Sequence, residues 1–402
     1  MSSEDESVVV VGGVDTHADT LHVAAIDDRG AELGDREFPT TPSGYRRALA
    51  FLASYGDLVV VGVEGTCSYG AGFTQAALGA GVAVVEVVRP DRSERRRLGK
   101  SDPIDAYQAA RAALAQHRTA PVKDPALEGI RALHNARRSA VKARHAAQRQ
   151  IKQQLVTAPV AIREKYRNRV GDDLVLALAR ARTWVDRPPV EQAVLIALKS
   201  LATRCLDLQA EHAALGEEID ALVTAVNPGL RAALGIGPDT AAQLLITAGG
   251  NPGRLRTEAS FAALCGAAPV PASSGKTTRH RLSRSGDRAA NNALYRIAIV
   301  RMACDPHTKA FVARQRAAGR STREIIRILK RAIAREVFRY LTTPVEVPTV
   351  ADLRPARQAK NITITAVAQH FGVWPATISE LERGTRRNDA LAQAYREWLN
   401  AA

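Results

Sequence analysis

Two runs of β-branched and small apolar residues, 8–14 and 58–63, each close on a carboxylate, Asp15 and Glu64. Runs of this kind, bounded by polar turns, read as buried strands. Residues 21–26 and 32–38 add two more strands after short turns, which makes a meander. Residues 45–53 then read as a helix, 71–80 as a second helix and 82–88 as a further strand. Three strands followed by helix–strand alternation predict an α/β layer with a mixed sheet over residues 1–118. Open α/β sheets carry their sites at the carboxyl ends of strands, where Asp15 and Glu64 stand. Taken singly, each acid is equally consistent with a solvated strand cap.

A second acidic element follows. Asp102 and Asp105 stand three apart at the head of an Ala-rich run, so on a helix they share a face. Pro103 suits the first turn and Ser101 the N-cap. Such a pair also answers the helix dipole without further purpose. Four acids spread over two strand ends and one helix start call for more. Crowded carboxylates repel unless a hard cation joins them, and Mg²⁺ takes carboxylate and phosphate oxygens. Two such ions can clamp both sides of a phosphodiester. Between the last strand and this helix lies a basic run, 89–97, in which Arg95, Arg96 and Arg97 precede Lys100. It is either a solvated face or a grip on a nucleic-acid backbone.

The segments Val11-Gly12-Gly13-Val14-Asp15-Thr16-His17, Val61-Gly62-Val63-Glu64 and Lys100-Ser101-Asp102-Pro103-Ile104-Asp105 resemble the DEDD set of RuvC-like, RNase H-fold transposases. More narrowly, they resemble the insertion-sequence family whose second catalytic element is a serine near the C-terminus. A structured noncoding RNA, the bridge RNA, guides that family. The resemblance implies that Asp15, Glu64, Asp102 and Asp105 are catalytic and metal-binding. It also implies Mg²⁺ or Mn²⁺ as cofactor.

Residues 119–227 read as two long helices. In the first, apolar residues recur at threes and fours from Leu127 to Leu155. In the second, Leu198, Leu201, Cys205, Leu208, His212, Leu215, Ile219, Leu222 and Val226 follow a heptad spacing. This coiled-coil segment serves either an internal hairpin or dimer contacts, with a contribution to oligomer contacts expected. His212 reads as a register-setting polar residue rather than a metal ligand.

Residues 228–344 are predicted to be helical. Leu234-Gly235-Ile236-Gly237-Pro238 between helices resembles a helix-hairpin-helix, in which Gly235 and Gly237 let backbone N–H groups approach a phosphate. Ser273-Ser274-Gly275-Lys276 alone is a flexible loop. In the family it resembles, the serine before glycine is the nucleophile. That role carries over to Ser274, with Ser273 as the fallback. Lys276, Arg279, Arg281 and Arg284 follow as phosphate ligands. Residues 273–340 hold 17 Lys/Arg against 4 Asp/Glu, a net +13 of the chain's +15. Such a surplus points to a polyanion. A capping box at Ser321 and Glu324 opens a helix on which Arg323, Arg327, Lys330 and Arg331 are expected to face phosphates.

Residues 345–360 read as a linker. Residues 361–402 resemble a Cro/repressor-type helix-turn-helix, with Gly372 in the turn and Ala376, Thr377 and Glu380 as candidate base contacts. Trp374-Pro375 departs from the usual Ser cap.

The four cysteines show no metal-ligand spacing and read as free thiols of a cytosolic protein. No apolar run is long enough for a membrane span, and the acidic start is not a secretory signal. The reading is therefore a cytoplasmic, nucleoid-associated, RNA-guided DNA recombinase. Its expected partners are double-stranded DNA, a guide RNA and further copies of itself, as dimer or tetramer. Two rivals stand beside it: a metal-dependent junction resolvase or nuclease using water, and a non-enzymatic helix-turn-helix regulator.

Overall fold

The computed structural model describes residues 8–87, 101–117, 119–183, 186–271, 280–281, 285–384 and 387–401. The chain divides into two units, residues 1–128 with 248–256, and residues 129–247 with 257–402.

In the first unit, β1 (Val9–Thr16), β2 (Thr20–Asp27), β3 (Glu32–Pro39), β4 (Asp57–Glu64), β5 (Ala83–Val87) and β6 (Thr119–Pro121) form one mixed sheet in the order β3-β2-β1-β4-β5-β6. The first three strands are antiparallel neighbours, β1, β4 and β5 run parallel, and β6 returns antiparallel to β5. Strand alternation sends Val10, Val14, Val23 and Val61 to one face, against Leu52 of α1 (Pro42–Ala53) and Phe73 of α2 (Ala71–Gly79). It sends Val11, Ala24 and Ile26 to the other face, against Ala106 and Ala110 of α3 (Asp102–Leu114). Residues 248–256 join this unit through the Arg254–Glu86 ion pair at 2.7 Å and the Asn251 amide, which donates to the Val122 carbonyl at 3.1 Å.

The second unit is helical among its described residues, apart from one two-residue ribbon. Two long helices, α4 (Leu127–Thr157) and α7 (Pro189–Val226), enclose the short α5 (Val160–Tyr166) and α6 (Gly171–Ala179). Their shared core takes Ile151, Tyr166, Leu178, Leu198, Ala202 and Cys205. The heptad seam of α7 is thus partly consumed within the chain: Leu198, Cys205 and Ile219 are buried, while Leu222 and Val226 are exposed. His212 uses its backbone carbonyl to accept from Arg137 of α4 at 3.2 Å.

Next come α8 (Pro228–Ala232), α9 (Pro238–Ala248), α10 (Glu258–Leu264), the ribbon β7 (Val270–Pro271) with β8 (His280–Arg281), and then α11 (Arg288–Cys304), α12 (Pro306–Ala317) and α13 (Thr322–Thr342). The capping box read in the sequence forms: Ser321 caps the Glu324 amide, and Glu324 accepts from the Ser321 amide at 2.9 Å.

Four helices close the chain: α14 (Leu353–Ala359), α15 (Ile364–His370), α16 (Pro375–Glu382) and α17 (Asp389–Ala401). Residues 353–359, read from the sequence as linker, form α14 because Leu353 and Arg357 share one face and both are buried. Pro355 hid this in the sequence, yet proline is tolerated in a first turn. The core holds Leu353, Val367, Ile378, Leu381, Tyr395 and Leu399.

Candidate active site

The sheet sets the first two carboxylates side by side. Gly13 pairs with Gly62 and Val14 with Val63 in the parallel β1–β4 ladder, so Asp15 and Glu64 close neighbouring strands. Residues two apart on a strand share a face. Asp15 therefore lies on the face of Gly13, and Glu64 on the face of Gly62.

Those two glycines bring in α3. A Cβ on Gly13 would stand 2.0 Å from the Ala106 carbonyl oxygen, and one on Gly62 would stand 2.4 Å from that of Ala109. No side chain fits, so the helix backbone lies directly on β1 and β4. Polar links fix it further: the Tyr107 hydroxyl donates to Asp35 at 3.2 Å, and Arg111 pairs with Glu32 at 2.6 Å. The start of α3 is thereby held over the strand ends. Ser101 occupies the N-cap in an extended conformation, but its side chain accepts no cap hydrogen bond. Its carbonyl takes the Asp105 amide at 3.1 Å.

The four acids converge within this unit. Asp15 and Asp105 are buried. Burial lifts the Asp15 carboxyl above the ordinary aspartate value; His17 opposes the shift, and the charges of Asp105, Asp102 and Glu64 add to it. A carboxylate raised first by burial and then by neighbouring acids is a candidate for a functional site. His17 Nε2 lies 3.1 Å from Asp15 Oδ2 and 3.4 Å from Asp102 Oδ1. Asp15, His17 and Asp102 offer ligand atoms within 4.8 Å of one another, a spacing that suits a metal ion. The donor set is oxygen-rich and carboxylate-rich, as a hard divalent cation requires. Sequence reasoning gave His17 no role, although it stands two residues after Asp15 in the quoted motif.

The other site residues fare unequally. Ser273, Ser274, Lys276, Arg279 and Arg284, with Arg95, Arg96, Arg97 and Lys100, lie outside the described residues. Arg281 belongs by its backbone to β8, paired with Val270. The Asn291 amide donates to the carbonyls of Cys265 and Gly266, both at 2.9 Å. Lys330 donates to Asn291 Oδ1 at 2.8 Å and is buried, so it does not face a phosphate. That corrects the sequence reading. Its spacing from Ile326, Ile333 and Val337 put it on the apolar stripe of α13. Burial, with help from Arg327, lowers its pKa. Arg331 pairs with Glu258 at 2.6 Å, whereas Arg323 and Arg327 are exposed.

Gly235 takes a left-handed φ of +79° between α8 and α9, and space is open beside Gly237. Gly372 has φ +63° between α15 and α16. Trp374 caps α16 from an extended conformation, 82% exposed, and Thr377 is half-buried. No helix among the described residues is long and apolar enough to cross a membrane.

Comparison with known proteins places both halves of the chain. A profile of the DEDD transposase domain of the IS110 type, described as a transposase, matches residues 12–158. A second, described as a transposase of the IS116/IS110/IS902 family, matches residues 229–313. An uncharacterized IS110 insertion-element protein of 43.6 kDa from Streptomyces coelicolor is 31% identical over 170 residues, 41% of each chain. The IS117 mini-circle protein of the same organism, named as a candidate transposase, is 25% identical over 378 residues, 78% of this chain and 89% of the relative. All four acids fall in the first matched segment and Ser274 in the second, so over these two segments the chain is similar to transposases of the IS110/IS116/IS902 type.

Proposed function

We propose that the chain is an RNA-guided DNA recombinase that cuts and rejoins strands through a phosphoserine intermediate. The observation that supports this reading is that Asp15 and Asp102 flank His17 at metal-ligand spacing, with the charges of Glu64 and Asp105 also acting on Asp15. In a RuvC-like, RNase H-fold reading of the first unit, these acids hold Mg²⁺, or Mn²⁺ in its place. When bound, the cation neutralises charge on the phosphate and orients it.

Ser274 supplies the nucleophile. Its Oγ forms a bond to phosphorus while the bond from phosphorus to a deoxyribose oxygen breaks. The serine proton leaves to solvent and the departing oxygen takes one up. A second deoxyribose hydroxyl then reverses the step on a new strand and frees the serine. One phosphate ester replaces another throughout, so no ATP is needed. Lys276, Arg279 and Arg281 stabilise the charge that develops. The acids and the serine must meet on one phosphate, within one subunit or between copies in a dimer or tetramer to which α7 contributes.

The basic runs at 95–100 and Arg284, Arg323 and Arg327 hold backbone phosphates of DNA or guide RNA. Gly235 and Gly237, as a helix-hairpin-helix, add sequence-independent contacts. Residues 364–382 act as a helix-turn-helix that offers Thr377 to a DNA groove. The protein works in the cytoplasm, on nucleoid DNA.

The test is adduct trapping. Full-length protein with its copurifying RNA and labelled DNA is denatured mid-reaction, and covalent protein–DNA species are resolved. Wild type and Ser273→Ala are expected to form the adduct, and Ser274→Ala none. Cleavage without any adduct in wild type would establish the water-using nuclease instead. Intact transposition in Asp15→Asn would leave only the regulator.

A further inference from the structure

We propose that His17 is a metal ligand beside Asp15 and Asp102, and that its nitrogen tilts this site toward Mn²⁺ over Mg²⁺. The inference rests on the reading that these carboxylates hold a divalent cation. Two ligand atoms that each sit ~2.1 Å from one octahedral ion are ~3.0 Å apart at a right angle and ~4.2 Å apart when opposite. His17 Nε2 lies 3.1 Å from Asp15 Oδ2 and 3.4 Å from Asp102 Oδ1, near the right-angle value. All three ligand atoms fall within 4.8 Å of one another, a bound ~0.6 Å beyond the opposite-ligand value. Small adjustments suffice for one ion to reach all three.

The imidazole is aimed by a fixed turn. The His17 amide donates to the Thr20 carbonyl at 2.9 Å, and the Thr40 hydroxyl donates to the His17 carbonyl at 3.4 Å. The neighbouring Thr40 amide donates to the Asp19 carbonyl at 2.8 Å. The β1–β2 turn is thus tied to the end of β3, and the ring lies within 3.4 Å of both carboxylates. Its side chain keeps 41% of its exposure, so an ion and solvent can both reach it.

Chemistry then sets the preference. Mg²⁺ favours oxygen donors, whereas imidazole suits transition ions. One nitrogen among carboxylates leaves Mg²⁺ usable but favours Mn²⁺.

The experiment is Mn²⁺ binding by full-length protein, read by pulsed electron paramagnetic resonance, with Mg²⁺ as competitor. Wild type is expected to show ¹⁴N coupling to bound Mn²⁺, and His17→Ala to retain an ion without it. The Mg²⁺ needed to displace Mn²⁺ should fall by about tenfold in His17→Ala, the lower end of what loss of a supporting metal contact costs. Far-UV circular dichroism checks that the variant is folded. Wild-type Mn²⁺ without ¹⁴N coupling, or coupling that persists in His17→Ala, overturns the assignment and leaves His17 as a counter-charge to the acids. Asp15→Asn separates the two readings: if Mn²⁺ binds equally well there, the carboxylate site itself fails.

Discussion

Two buried carboxylates in this chain have opposite surroundings. Asp15 is pushed up by burial and by three neighbouring acids, with His17 alone opposing among the main influences. Glu382, in the C-terminal helices, is also subject to burial, but Arg357 and Tyr395 hold it below the ordinary glutamate value. Arg357 reaches it bidentately at 2.7 and 3.0 Å, and the Tyr395 hydroxyl donates to it at 2.8 Å. A satisfied buried acid specifies how helices dock. A buried acid whose neighbours are mainly other acids is characteristic of functional sites. The contrast sets a cluster that fits the proposed chemistry against a pair that holds helices together.

Breaking the satisfied site should have the largest effect on stability. Glu382→Ala strands the Arg357 guanidinium in the core, and Arg357→Met strands the carboxylate. Each should cost about 3–5 kcal/mol, seen as lost hydrogen-exchange protection over residues 353–401. Because the folded pKa of Glu382 is depressed, its stabilisation is fully present above the ordinary value of 4.5. It is lost as pH falls through the lowered folded value. Denaturation at pH 7 and pH 3 should show the gap between wild type and Glu382→Gln close on acidification.

At the frustrated site the order inverts. Asp15→Asn and Glu64→Gln should lower strand cleavage by about 10²–10³-fold. Their melting temperatures should hold or rise, since a repelling charge is gone. Loss of fold in either variant would mean that these acids are structural.

A smaller effect sharpens the link between packing and site. Gly13→Ala drives a methyl into the Ala106 carbonyl and should cost about 1–3 kcal/mol, with loss of cleavage as α3 lifts. Gly79→Ala, at the end of α2 where a Cβ meets nothing within 4 Å, should be neutral or slightly stabilising. Smallest are the basic residues of α13. Arg323→Ala and Arg327→Ala should each reduce the salt slope of DNA binding by about one. Buried Lys330→Met should leave that slope unchanged.

The sheet and three of its consequences were legible in the sequence. β-branched runs ending in Asp15 and Glu64, and a proline-opened helix at Asp102, carry local signals that tertiary packing does not override. The seam of α7 was legible as a period but not as a partner, because Leu198 and Cys205 satisfy the same spacing inside one chain. Lys330 misled by its charge. Residue type argued for solvent, whereas its spacing placed it among Ile326, Ile333 and Val337. α14 was missed because Pro355 dominates a short helix whose worth lies in the distant contact from Arg357 to Glu382. His17 went unassigned because its neighbours Asp15 and Asp102 come together only when α3 lies on the glycines of β1 and β4.

Where a divalent ion binds decides whether the four acids form a metal site. Crystals of the full-length protein grown with Mn²⁺ can be read by anomalous scattering at the manganese edge. A peak among Asp15, Asp102, Asp105 and Glu64 is predicted. A peak elsewhere, or none at this end of the sheet while DNA is being cleaved, would contradict it.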